Sequence, residues 1–156
     1  MSKAIRGFYT LTEYIENQLL KDPNCNTVTL GDFSEVDLAK QTIFPLAHII
    51  VGTTSVGKTT LTFTLNVAAM DVITYENKQT TNAFTKSNNT QDIMATQLAV
   101  LNKLIQHLRI TKTSGVRYVV NDDEVPCEPF VDQYENKVAG WTATMNITMV
   151  NDIYGC

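Results

Sequence analysis

The chain has 156 residues, 44% of them apolar and 18% charged, a balance that excludes a disordered polymer and fits one domain (1–156) with its own core. Twelve Lys and Arg against sixteen Asp and Glu leave a net charge of −4, and the basic residues are scattered, which argues against tight binding to nucleic acid. Cys25, Cys127 and Cys156 are odd in number and far apart, so free thiols are expected rather than a disulfide framework or a zinc site.

The opening segment MSKAIRGFYTLTEYIE lacks the apolar core of a signal peptide, and no apolar run reaches the roughly 20 residues that span a bilayer, so a soluble protein is expected. Thr10-Leu11-Thr12-Glu13 has the spacing of a capping box, with Tyr9 and Tyr14 placed as its hydrophobic staple. Leu11, Ile15 and Leu19 then form the apolar stripe of a helix that Asp22-Pro23-Asn24 stops. Asn26 to Leu30 alternates and reads as a strand ended by Gly31-Asp32, and Phe33 to Ile43 reads as a connection. Phe44-Pro45 introduces a second strand, Leu46 to Val51, with a turn at Ser55-Val56-Gly57-Lys58.

After Lys58 the period is two. Leu61, Phe63, Leu65, Val67 and Ala69 alternate with Thr60, Thr62, Thr64, Asn66 and Ala68, which predicts a long strand with one apolar side. Tyr75 to Thr90 is polar and aperiodic, a loop long enough to serve function or a partner. A second helix follows, with Asp92 in its first turn and Ile93, Gln97, Leu101, Leu104 and Leu108 on one face, widened by Val100 and Ile105. Thr113-Ser114-Gly115 ends that region, and Val116 to Val120 reads as a strand. Pro126 and Pro129 break the next segment, and Asp132 to Lys137 is charged. Trp141, Ala143, Met145, Ile147 and Met149 alternate with Thr142, Thr144, Asn146 and Thr148 in a last strand of the same character. The expected fold is α+β, an antiparallel sheet with a long hairpin packed against two main helices.

Gly52-x-x-x-x-Gly57-Lys58-Thr59 matches the phosphate-binding loop of nucleotide hydrolases. That loop works only where a strand runs straight into a helix whose first amides and dipole hold the phosphates. Read as helix, Thr59, Thr60, Thr62 and Thr64 would cost on the order of 2–3 kcal/mol relative to alanines. The residues would also lose their polar face, because Leu61 and Leu65 would point one way and Phe63 and Val67 another. A magnesium carboxylate could be sought at Asp122, but strand and helix do not alternate as a parallel sheet requires. A hairpin is therefore expected, with Gly52, Gly57, Lys58 and Thr59 a look-alike; a small nucleotide-binding protein using Lys58 and Thr59 is the alternative from another class.

Elsewhere, His48 and His107 lack partners at ligand or triad spacing and read as core or surface histidines. Asp122-Asp123-Glu124 lacks the spacing of a calcium loop and reads as a solvated turn. Ser114-Gly115 carries no nucleophile-elbow pattern. No enzyme, cofactor or metal is expected. The two Thr/Asn strand faces read either as the wetted side of a sheet or as a surface that meets other subunits or lines a channel.

The order of an early amphipathic helix, a strand ending in Gly31-Asp32, the Phe44-Pro45 approach to a hairpin and a late helix before C-terminal strands resembles the tail-terminator proteins of long-tailed bacteriophages. Tyr134-Glu135-Asn136-Lys137-Val138-Ala139-Gly140-Trp141, followed by an alternating strand, is similar to that family's ending. The resemblance implies a virion protein of the tail or neck, assembled in the host cytoplasm. It would form a homo-hexameric ring that caps the tail tube and joins it to the neck or head-completion protein, with DNA only passing through the lumen. A neighbouring head–tail joining or minor tail protein is the alternative within that class. The expected assembly contacts are Gly57 and Lys58 at the hairpin tip and Tyr75, Glu76, Lys78, Phe84 and Lys86 in the 75–90 loop, the two features in which this chain departs from the family.

Overall fold

The computed structural model describes residues 6–31, 43–73, 90–110, 118–121, 123–133 and 138–150. Helix α1 (Arg6–Lys21) opens a full turn before the capping box expected at Thr10. Thr10 therefore lies inside the helix and the box does not form, while the neighbouring Thr12 hydroxyl donates back to the carbonyls of Phe8 (3.1 Å) and Tyr9 (3.0 Å) as a mid-helix threonine does. Tyr9 is 68% exposed and staples nothing; Phe8 instead packs its ring 5.1 Å from that of Phe63. The stripe of Leu11, Ile15 and Leu19 is buried as expected. At the helix end the Asp22 carboxylate accepts the Asn24 amide at 2.9 Å, a local bond that competes with further helix.

The strands are β1 (Thr27–Leu30), β2 (Leu46–Val56), β3 (Thr60–Val72), β4 (Tyr118–Val120), β5 (Cys127–Gln133) and β6 (Val138–Val150), with helix α2 (Thr90–Ile110) between β3 and β4. The sheet order is β1-β2-β3-β6-β4, and β5 pairs with the part of β6 that β4 leaves free. The fold is α+β, but the sheet is mixed rather than antiparallel throughout. β1 runs parallel to β2, from Thr27 opposite Leu46 to Leu30 opposite Ile49, with residues 31–45 as the crossover that parallel strands need. Gly31 ends β1 at a φ of 124°, a left-handed conformation open to glycine.

β5 also corrects the expectation of a broken segment, since it carries Pro129 in its middle. The Thr144 amide donates to the Pro126 carbonyl at 3.1 Å, so the alternation of an antiparallel ladder turns the backbone of residues 126, 128 and 130 toward β6. Pro129 then faces the sheet's outer edge, where its missing N–H costs no ladder bond.

Both helices cover one sheet face. Leu11, Ile15 and Leu19 of α1 and Leu101, Leu104 and Leu108 of α2 enclose Leu61, Phe63 and Leu65 of β3 with Met145, Ile147 and Met149 of β6. The buried side of α2 consists of the seven residues its period predicted, Ile93, Gln97, Val100, Leu101, Leu104, Ile105 and Leu108. The Trp141 indole donates to the Met94 carbonyl at 2.8 Å and pins α2 to β6. On the other face Leu46, Ala68, Met70 and Val138 form a smaller cluster with Phe44 and Phe130.

Cys25 is buried under α1, and burial, aided by the charge of Asp22, pushes its thiol up to about 11. Below pH 9 the folded and unfolded thiols are both protonated and its contribution to stability is complete. Between pH 9 and about 11 only the unfolded thiol ionises, so stability falls. Urea midpoints measured from pH 8 to 10.5 should therefore drop further for the native chain than for Cys25→Ala.

Candidate functional site

The glycine-lysine motif lies in the β2–β3 hairpin. β2 continues beyond Val51 to Val56, the Gly57 amide donates to the Thr60 carbonyl at 2.8 Å, and β3 starts at Thr60. The residues after Lys58 are extended, with Leu61, Phe63, Leu65 and Val67 buried on the helix side. The backbone amides of residues 53–56 are thus spread along a strand instead of converging on one phosphate, as the first turn of a helix would make them. A register shift between Val51 and Thr54 inserts one extra residue in β2, a bulge at Gly52-Thr53 that re-aims the hairpin. Residues 52–60 are all exposed, so Gly57 and Lys58 stand at a projecting tip.

The Thr and Asn side chains of β3 and β6 meet in pairs. Register sets Thr62 opposite Thr148, Thr64 opposite Asn146 and Asn66 opposite Thr144. Each pair is bonded: the Thr62 and Thr148 hydroxyls lie 2.9 Å apart, Thr64 donates to the Asn146 amide oxygen at 2.8 Å, and Thr144 donates to the Asn66 amide oxygen at 2.7 Å. Asn121, next to β4, adds its amide to the Thr148 hydroxyl at 2.7 Å. The three Thr/Asn rungs are therefore half-buried, uncharged and bonded to one another, on a sheet face where β5 sets the exposed Glu128 opposite Thr142. No family model and no curated protein matches the chain.

A self-bonded ladder loses little when another surface covers it, because its hydroxyls do not depend on water for partners. Removing the donor of one rung should be felt. Thr64→Val is expected to cost about 1 kcal/mol, with a positive coupling to Asn146→Ala in a double-mutant cycle read from urea denaturation.

The hairpin tip and the point where the chain leaves β3 toward residue 75 lie at opposite ends of that strand. The hairpin turn precedes the first residue of β3 and the chain leaves toward residues 75–90 after its last, so the 13 residues of β3 separate them by roughly 40 Å at 3.3 Å per residue. Tyr75, Glu76, Lys78, Phe84 and Lys86 lie outside the described residues, as do Asp122, Ser114, Gly115 and Cys156. Thr90, expected at the end of the loop, is the first residue of α2.

His48 is fully buried with both ring nitrogens engaged: Nε2 donates to the Gly31 carbonyl at 3.0 Å, which leaves Nδ1 to accept the Thr29 hydroxyl at 2.6 Å. It locks β2 to β1, as a core histidine does. His107 is exposed on α2, and Asp123 uses its backbone carbonyl to accept Arg109 Nη2 at 2.7 Å. Among the described residues no group of three or more His, Cys, Asp and Glu could hold a metal ion, and no helix is long and apolar enough to cross a membrane. Sequence reasoning separated the polar from the apolar strand faces but missed the rungs, whose partners are more than 75 positions apart.

Proposed function

We propose that this chain is a structural virion protein, a tail terminator that closes the tail tube as a ring, hexameric by the family resemblance, and joins it to the neck. The observation that supports the reading is the polarity of the subunit, with the exposed hairpin tip at one end of β3 and the exit of the chain toward residue 75 at the other. A ring built from such subunits has two different faces, one for the tube and one for the neck, and it ends growth because the neck face is not complementary to a further tube ring. The Thr/Asn ladder supports the same reading. A lumen lined by Thr64, Asn66, Thr144 and Asn146 offers DNA no cationic side chains, and immobilising DNA takes several phosphate contacts. The reading assigns no catalytic residue, cofactor or metal, and places the protein in the tail or neck of the particle.

Adding the purified chain to growing tail tubes tests it: elongation should stop, with a ring at the tube end in negative stain. Deleting Gln79 to Asn88 should abolish capping with the fold retained; tubes capped normally by that variant would remove the loop from the account. Millimolar Mg-ATP and Mg-GTP should leave Tm unchanged, because a ligand bound to the native state would raise it.

A further inference from the structure

β1 covers β2 only from Leu46 to Ile49, so from Ile50 to Val56 the outer edge of β2 has no strand partner among the described residues. At the opposite margin β4 is the last strand among the described residues. The two edges stand at one level, since pairing places Val56, Leu61, Met149 and Tyr118 in one row, Ser55, Thr62, Thr148 and Val119 in the next, and Thr54, Phe63, Ile147 and Val120 in a third. Strand direction alternates along every row, so β2 and β4 run oppositely.

We propose that copies of this chain join edge to edge, β4 of one copy pairing antiparallel with the distal half of β2 in the next. The inference rests on the ring reading above and names its subunit contact. A second copy in the same orientation, as a ring requires, presents its β2 to β4 in the direction that continues the alternation. The hydrogen-bonding phase agrees as well. The inward bond from Gly57 to Thr60 turns Ser55 toward β3 and leaves the N–H and C=O groups of Thr54 and Val56 facing out. The inward bond from Asn121 to Asn146 (2.8 Å) likewise leaves those of Tyr118 and Val120 facing out. Continuing the rows then sets Tyr118 against Val56 and Val120 against Thr54 with four backbone bonds, and keeps Val119 and Ser55 on the Thr/Asn face of both copies.

The composition of the edges points the same way. β5 carries Glu128, Pro129 and Asp132, devices that keep other chains off an edge. Thr53-Thr54-Ser55-Val56 and Tyr118-Val119-Val120 carry neither charge nor proline, and Val56 and Val119 are 75% and 62% exposed. Uncharged, β-branched edges of this kind accept strand addition.

Cysteines at Ser55 and Val119 test the pairing, because these positions would face each other at a non-hydrogen-bonded site with Cα atoms about 4.5 Å apart, within disulfide range. The Ser55→Cys/Val119→Cys chain, assembled and mildly oxidised, should give covalent multimers whose peptide masses show the 55–119 link, and each single variant should not. Thr54→Pro removes one outward N–H and spares the internal ladder; it should keep the native Tm within a few degrees and weaken association at least tenfold. Rings that persist in Thr54→Pro, together with rings of the double-cysteine chain that yield no 55–119 link, overturn the edge pairing and leave the ring reading standing. The link found in open chains without rings upholds the pairing and overturns the ring. A chain monomeric both alone and on tail tubes overturns both.

Discussion

Gly140→Ala is expected to destabilise the fold by about 3 kcal/mol or more and to lower Tm by on the order of 10 °C. A Cβ built on Gly140 would overlap the Ala69 carbonyl oxygen and come within 2.8 Å of the Met70 Cα and 2.9 Å of the Ala69 carbonyl carbon. All three are backbone atoms of β3, so no side chain can swing aside to make room. Gly140 is paired with Met70 on β3 and with Phe130 on β5, and relief would have to come from opening the ladder between the two central strands. Thermal unfolding followed by circular dichroism reads the effect, and an alanine variant melting with the native chain would show that β3 and β6 do not approach so closely there.

Leu65→Ala should cost about 2–5 kcal/mol, the range for emptying a leucine-sized space in a closed core. Leu65 has no exposed surface and lies mid-strand in the cluster that gathers both helices onto β3 and β6. Val56→Ala, one strand over at the exposed tip, removes a similar apolar side chain and should stay within about 0.5 kcal/mol for the isolated chain. Urea midpoints for the pair compare the two sites directly. Equal midpoints would mean that the helices are not held on the Leu61–Leu65 face.

Most of the fold was legible because its longest elements have strong periods. In α2 seven apolar or amide positions recur on one face, and in β3 and β6 alternation persists over most of 13 residues. The misses occurred where local residue preferences do not contain the deciding interaction. Thr10 and Glu13 spell a helix start, yet Phe8 has Phe63 to pack on, and the helix begins early enough to present it. The direction of β1 was illegible, since four alternating residues read alike in a parallel and an antiparallel pair. Pro129 looked like a breaker because a proline announces a missing donor without saying which way that donor would have pointed.

The candidate surface was half legible. An uncharged face on each of two strands can be read from sequence, and so can the extended run after Lys58 that separates this hairpin from a phosphate-binding loop. The pairing of Thr64 with Asn146 cannot, because it depends on a register set by turns and packing far from either residue.

The count of chains at the end of a capped tail tube tests the account most directly. Native mass measurement of short tubes incubated with the chain should show one closed ring per tube end, six copies if the family resemblance holds. Tubes that keep growing, with the chain monomeric and unbound at every concentration, would contradict it.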